Sequence, residues 1–376
     1  MPSNLIPSKP ILILGGYGNL GLTIARLLIE HTNVKIILAG RNGVRAQLTA
    51  EQLNAEYKTA RVSGMQVNAA DQASLLQAFQ NVQMVIVASS TIEFTATVCQ
   101  AALKAEIDYF DVQISVTAKN RVLEALQERI LSSGRCFITD GGFRPGLPAA
   151  MVRYAATQIP DLQSAPVTSV FQVNWKERAF ANSTAAEFVD ELISFNQLIL
   201  KDGKWRSSKM NEMLRIDFGE PFGYKYCMPM FLEELRPLPE LIPSLKETGF
   251  YSAGFGGVMD YLLIPLSLAL IAIAPNLSRQ PVAKLIEWGL KHTTHPPYGA
   301  ILQMQAQGMQ RSLKMAIFEK DAYLISAAPA VACLLQYLDG SIQKPGLWRQ
   351  ATLVEPTRFF EDIAHLGVQV KTQICG

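Results

Sequence analysis

ILILGGYGNLGLTIARLL, residues 11–28, decides the fold. Its first four residues are an unbroken apolar run ending in glycines, the pattern of a strand buried on both faces of a parallel sheet. LTIARLLIE (22–30) then repeats apolar positions at helical spacing. Between the two lies GGYGNLG, where Gly16, Gly18 and Gly21 satisfy G-x-G-x-x-G. Gly16 allows a tight turn, Gly18 lets the backbone approach a pyrophosphate, and Gly21 lets helix and strand pack closely. The helix start offers free N–H groups and a partial positive charge to phosphates. Alone the motif is weak, because glycine-rich turns are common. Here it follows a strand and opens a helix, which is the context it requires. The stretch Gly16, Tyr17, Gly18, Asn19, Leu20, Gly21 is therefore expected to cradle a dinucleotide, the alternative being a merely structural turn.

The next strand, VKIILA (34–39), ends in Gly40, Arg41 and Asn42. In NAD-selective versions of this unit an acidic residue about 20 positions beyond the loop holds the ribose 2′-hydroxyl. Gly21 to Arg41 is 20 residues, and no Asp or Glu stands at this strand end. A carboxylate there repels a 2′-phosphate, whereas a guanidinium pairs with it. Arg41 is thus expected to select NADP, helped by Asn42 and Arg45; the bland alternative is a solvated arginine.

Strand and helix patterns continue to alternate. Helices are expected over 44–57, 73–80, 95–106 and 120–134, and strands over 64–71, 84–90, 108–113 and 135–142. Strict alternation marks an α/β fold with a doubly wound, Rossmann-type parallel sheet. Asp71 either faces the adenine edge or caps the next helix; Ser89 and Ser90 end the fourth strand, where cofactor contacts are expected. From 143 the pattern turns irregular, with one clear strand in SVFQVNW (169–175). The expected division is a dinucleotide-binding domain over 1–142, an inserted second α/β (α+β) domain for substrate and dimerisation over 143–340, and a segment 341–376 returning to the first.

Composition sets bounds. The 376 residues are 49% hydrophobic and 18% charged, enough for sizeable cores. A net charge of +2 argues against nucleic-acid binding. Five scattered cysteines without a C-x-x-C pair read as reduced thiols of a cytoplasmic protein. His292 and His295 have no ligand partners at metal spacing, so no metal site is expected; both read as solvated loop residues before two prolines. No secretory signal is visible at the N-terminus. Thr184-x-x-Glu187 reads as a capping box, and Lys176 and Arg178 point either into a cleft or into water.

The chemistry is less legible. None of the eleven tyrosines has a lysine four residues later, so the Tyr-x-x-x-Lys acid of many NADP enzymes is missing. Candidates lie at strand ends, where such sheets bind ligands: Tyr109 and Asp111 after the fifth strand, Asp140, Phe143 and Arg144 after the sixth. Arg144 either clamps a substrate carboxylate or makes a structural salt bridge with Asp140 or Asp111.

The opening ILILGGYGNLGLTIARLL, the LAGRN strand end, DYFDV, TDGGFRPGLPAAMV and the tail WRQATLVEPTRFFEDIAHLG together resemble the saccharopine dehydrogenase-like NADP-binding oxidoreductases. The resemblance covers about residues 10–370 and is strongest in the first 150. It implies NADP as cofactor, a Rossmann domain with an inserted substrate domain, and hydride transfer at a C–N (CH–NH) bond, typically an imine of an amine and a carbonyl compound. A substrate imine that arrives protonated needs only orientation and carboxylate anchors, which fits the absent acid–base dyad. The rival expectation is an NADP-binding regulatory or scaffold protein without turnover.

YLLIPLSLALIAIA, residues 261–274, is charge-free. As a helix it is about 21 Å long, short of the roughly 30 Å hydrocarbon core. It reads as a core helix, a homodimer interface or a peripheral membrane contact.

Overall fold

The computed structural model describes residues 9–176, 188–189, 196–274 and 277–375. Two compact units emerge. One runs to Leu147 and resumes over Ser326–Gly367; the other comprises Pro148–Ile325 with Val368–Gly376.

The first unit alternates β1 (Ile11–Leu14), α1 (Asn19–His31), β2 (Ile36–Gly40), α2 (Gly43–Glu56), β3 (Val62–Gln66), α3 (Gln72–Ala78), β4 (Met84–Val87), α4 (Thr95–Lys104), β5 (Asp108–Asp111), α5 (Thr117–Ser132) and β6 (Cys136–Thr139). Every residue of β1, β4 and β6 is buried. That is why these strands are unbroken apolar runs and not alternating ones. Tyr109, Phe137, Val85 and Leu12 share one core cluster with Val98, Leu123 and Ile130 of α4 and α5. A seventh strand, β15 (Gly346–Arg349), joins from the far end of the chain. The sheet order is β15-β6-β5-β4-β1-β2-β3, and all its ladders are parallel. Strand order reverses direction between β1 and β4, so the ligand crevice of this doubly wound sheet lies outside their carboxyl ends.

The second unit starts with α6 (Pro148–Gln158) and is built on a mixed sheet. Its central strand β7 (Ser164–Gln172) pairs antiparallel with β13 (Gly299–Gln307) and parallel with β12 (Glu247–Ala253), on whose side lie β8 (Leu198–Lys201), β9 (Lys204–Ser207), β10 (Leu214–Asp217) and β11 (Tyr224–Pro229). The apolar run expected over 261–274 forms a π-helical turn, Met259–Leu263, and then α7 (Ile264–Ile273). It is followed by α8 (Arg279–Thr293).

Several expectations are corrected. The return to the first unit begins near 326, not at 341, because α9 (Ala322–Leu338) contributes a buried face there: Ala327, Val331 and Leu334 are fully buried. Its Tyr337 hydroxyl donates to Asp108 Oδ2 at 2.5 Å, fixing the helix to the start of β5. Nor does the tail finish in the first unit. After α10 (Pro356–His365), the last strand β16 (Gln369–Cys375) pairs antiparallel with β14 (Ser312–Glu319) of the second sheet. The third strand stops at Gln66, so Asp71 is not a strand end. His292 belongs to the last turn of α8, where its ring stacks on Trp288 and its Nδ1 lies 2.8 Å from the Trp288 carbonyl. The capping box at 184–187 and Arg178 lie outside the described residues. Lys176 is exposed.

Candidate cofactor and active site

The glycine turn works by close approach. Gly15, not Gly16, takes the left-handed backbone conformation, at φ +87°, which a side chain disfavours. A Cβ on Gly21 would stand 2.4 Å from the Gly15 carbonyl oxygen, so α1 can start against the turn only with glycine there. Gly18 is the N-cap of α1, and the cap supplies no side-chain hydrogen bond. No acidic residue occupies the first turn. A 13-residue helix thus opens with neither cap nor carboxylate over its positive end, the arrangement that receives a phosphate. The residues present fit a dinucleotide pyrophosphate.

Beside the turn, the end of β2 is held by Tyr17. A Cβ on Gly40 would lie 2.6 Å from the Tyr17 ring, so the ring lies directly against this glycine. The Tyr17 hydroxyl accepts the Asn42 N–H at 3.0 Å. Asn42 caps α2 through its side chain, accepting the Arg45 N–H at 2.9 Å. The Arg45 guanidinium stacks 5.1 Å above the Tyr17 ring centre. Arg41 and Arg45 are both exposed, and neither is ion-paired among the described residues. Two guanidinium groups therefore flank the strand end where a 2′-phosphate belongs. Asp71 accepts the Ala73 N–H at 2.9 Å and is the N-cap of α3; of the two roles open in the sequence, the structure shows the capping one. Ser89 and Ser90 are half-buried past β4. A Cβ on Gly15 would stand 2.8 Å from Ser89 Cβ, so the two loops abut at one sheet edge.

At the ends of β5 and β6 the structure differs most from the sequence-based picture. Lys119, in the first turn of α5, is completely buried. Its Nζ donates to Asp111 Oδ1 at 2.9 Å, Asp140 Oδ1 at 3.0 Å and the Gln113 carbonyl at 3.0 Å. Asp140 Oδ2 in turn accepts from Arg349, at the end of β15, and from Ser115. Two carboxylates and two cations thus form a neutral cluster across β5, β6 and β15. Burial alone would lower the Lys119 ammonium; Asp111 and Asp140 outweigh it and raise it above its ordinary value. Burial would raise the Asp140 carboxyl, but Lys119 and Arg349 hold it below the usual range. Both stay charged at neutral pH.

Asp111 and Tyr109 are fully buried. Tyr109 stacks on Phe137 at 5.2 Å between ring centres. Burial, then the Asp111 charge, pushes its hydroxyl well above the ordinary range. Neither side chain is open to a substrate, in contrast to the catalytic contacts expected of them. Arg144 is half-buried after β6; the cations that pair with Asp111 and Asp140 are Lys119 and Arg349 instead. Sequence inspection missed Lys119 because a lone lysine in an amphipathic helix looks like a solvated one. It missed Arg349 because 209 residues separate it from Asp140. The one signal was DYFD itself, an aspartate closing an apolar strand, which demands a buried cation.

Among the described residues no cluster of His, Cys, Asp or Glu is placed to hold a metal, and no helix is long and apolar enough to cross a membrane.

Comparison with known proteins agrees with this geometry. Residues 11–139 match the family described as the saccharopine dehydrogenase NADP binding domain. Apo saccharopine dehydrogenase (L-Glu forming) from Saccharomyces cerevisiae superposes with a TM-score of 0.68 at 14% identity, covering 98% of this chain and 100% of that one. A short-chain dehydrogenase/reductase (wide type) from Veillonella parvula in complex with NADP matches 28% of this chain and 48% of its own, at 22% identity and a TM-score of 0.25. The yeast likeness shows a shared fold; the match over 11–139 shows an oxidoreductase-type nucleotide domain whose cofactor is NADP. The chain therefore carries, over residues 11–139, the NADP-binding domain of the saccharopine dehydrogenase-like family.

Proposed function

We propose that the protein is an NADP-dependent oxidoreductase acting at a C–N bond of an amino-acid-derived small molecule. NADPH, when bound, supplies the hydride; the imine carbon receives it and the product is a secondary amine. The observation that carries this proposal is the uncapped start of α1 beside the exposed Arg41 and Arg45, on a domain of saccharopine dehydrogenase type. The β5–β6 cluster supports the C–N chemistry in a negative way. Its ionisable groups are locked in charged pairs and are not poised to exchange protons. A reaction on an already protonated imine does not need them to.

Arg144 is the proposed anchor for a substrate carboxylate. The test is a screen of amino acids with keto acids, followed by the loss of NADPH absorbance. In the active pair, Arg144→Ala is expected to raise KM about 10–150-fold, the equivalent of ~1.5–3 kcal/mol for a charge-assisted hydrogen bond, with kcat within a few-fold. Arg144→Lys should recover part of the loss. An unchanged KM in Arg144→Ala would remove the anchor from this scheme. No turnover with any amine and carbonyl pair, despite tight NADPH binding, would favour a regulatory NADP-binding protein.

A further inference from the structure

The backbone ladders around the ligand crevice end at Ala88 and Val112. The Ala88 N–H donates to the Leu14 carbonyl at 2.9 Å, and the Val112 N–H to the Val87 carbonyl at 3.2 Å. Past Ala88, no ladder bond holds the chain among the described residues. Yet Ser89 lies directly against Gly15 of the glycine turn. A side chain holds it there. Gln113 is a buried amide two residues past β5. Its Nε2 donates to the Ser89 carbonyl at 2.9 Å and lies 3.5 Å from Thr91 Oγ1. A carbonyl only accepts, so the amide end that faces Ser89 is the NH2. The same carbonyl accepts the Thr91 N–H at 2.9 Å, and the Ser89 and Thr91 hydroxyls lie 3.0 Å apart, which closes residues 89–91 into a turn. The backbone of Gln113 is clamped on both sides. Its N–H donates to Asp111 Oδ1 at 3.2 Å, and its carbonyl accepts from Lys119 Nζ at 3.0 Å. The buried ion cluster thus reaches the crevice through one glutamine.

We propose that Gln113 is a positioning residue for the cofactor: it holds the Ser89–Thr91 turn as the wall of the crevice where the nicotinamide half of NADP lies. Three observations support this placement. First, in such a sheet the pyrophosphate sits at the start of α1 and the adenosine ribose at the end of β2. β1 lies between β2 and β4, so the other half of the dinucleotide extends over the end of β4, where the chain continues into Ser89. Second, the turn carries polar groups that the protein leaves unclaimed. The half-buried Ser90 makes no hydrogen bond among the described residues, and neither does the Ser89 N–H. These N–H and hydroxyl groups suit the ribose hydroxyls and the carboxamide oxygen of a nicotinamide nucleotide. Third, the bond from Gln113 fixes the turn in one place. If the turn moves away, a buried N–H2 loses its acceptor, and an unsatisfied buried donor is costly. Gln113 therefore acts through the turn and not by touching the reacting atoms.

The test is isothermal titration of wild type and Gln113→Met with two ligands. One is NADPH; the other is adenosine 2′,5′-bisphosphate, which carries the 2′-phosphate but no nicotinamide. Gln113→Met is expected to bind NADPH about tenfold more weakly, the scale of one lost hydrogen bond, and the bisphosphate within about twofold of wild type. A merely structural role would weaken both ligands together or neither. If Gln113→Met does not fold, Gln113→Glu is read in its place, since it keeps the shape and replaces the donor with an oxygen. Hydrogen exchange of the wild type needs no variant: NADPH is expected to slow exchange at residues 89–91, and the bisphosphate to leave it unchanged. Equal weakening of both ligands, unchanged NADPH affinity in the variant, or no slowing at 89–91 with NADPH would overturn the proposal. Wild type that binds neither ligand would remove the cofactor itself and the proposal with it, a failure distinct from that of Gln113 alone.

Discussion

Lys119→Met lowers the stability of the first unit by about 3–5 kcal/mol, the usual cost of removing one partner from a buried ion pair. Methionine replaces the four-atom apolar stem of the side chain and omits the ammonium, so little packing is lost. What remains is two buried carboxylates, with Arg349 reaching only Asp140. Chemical denaturation of wild type and variant reads the difference directly. Adding Asp111→Asn to Lys119→Met should recover part of it, because one stranded charge is removed while an oxygen remains for the Gln113 N–H. A loss under about 1 kcal/mol would mean that the cluster is weakly coupled to the fold.

The same cluster sets a pH window. Asp140 has a folded pKa below its unfolded value, so its contribution is present above the unfolded carboxylate range, about 4, and disappears as the pH falls through the folded value. Lys119 has a folded pKa above its unfolded value. Its contribution is complete below about 10.4 and is lost as the pH rises through the folded value. Wild-type stability should therefore hold between these limits and decline in acid, and the decline should be shallower in Lys119→Met.

Gly21→Ala should weaken NADPH binding at least about 100-fold, the equivalent of ~2.7 kcal/mol. The added methyl group meets a backbone oxygen at 2.4 Å, not the end of a flexible side chain. Either the turn or α1 must move, and both present the phosphate site. Gly257→Ala is the control, because nothing lies within 4 Å of its Cβ position; NADPH affinity there should match the wild type. Isothermal titration of the three proteins decides the matter. Equal affinity in Gly21→Ala would separate the turn from the cofactor.

The contrast between these two sites shows what a sequence exposes. The glycine turn is local: strand, loop and helix are consecutive, and Gly18 and Gly21 both answer the Gly15 carbonyl a few residues away. The strands of the first sheet were legible for the same reason, since burial on both faces writes unbroken apolar runs such as ILIL and MVIV. The position of Arg41 just past β2 was legible from its distance to the loop. The Lys119 cluster was not, because its members come from β5, α5, the end of β6 and β15, whose Arg349 lies 209 residues after Asp140. Nothing in AKNRVLEAL marks the lysine as buried; only its approach to Asp111, which ends β5, and Asp140, which follows β6, does that. The tail shows the limit in another form. Its helix and strand periodicities were plain, but periodicity does not say which sheet an edge strand joins, and β16 joins the second. For α7 the composition was plain and the environment was not: an all-apolar helix reads alike whether it lies in a core, an interface or a lipid surface.

We propose that Arg41 recognises the 2′-phosphate of the NADP bound by the first unit. The decisive experiment is a fluorescence titration of wild type and Arg41→Ala with NADPH and NADH. Wild type is expected to bind NADPH at least about tenfold more tightly than NADH, the equivalent of ~1.4 kcal/mol. Arg41→Ala is expected to lose most of that preference while its affinity for NADH stays unchanged. Equal binding of the two nucleotides by the wild type, or an unchanged preference in the variant, would contradict it.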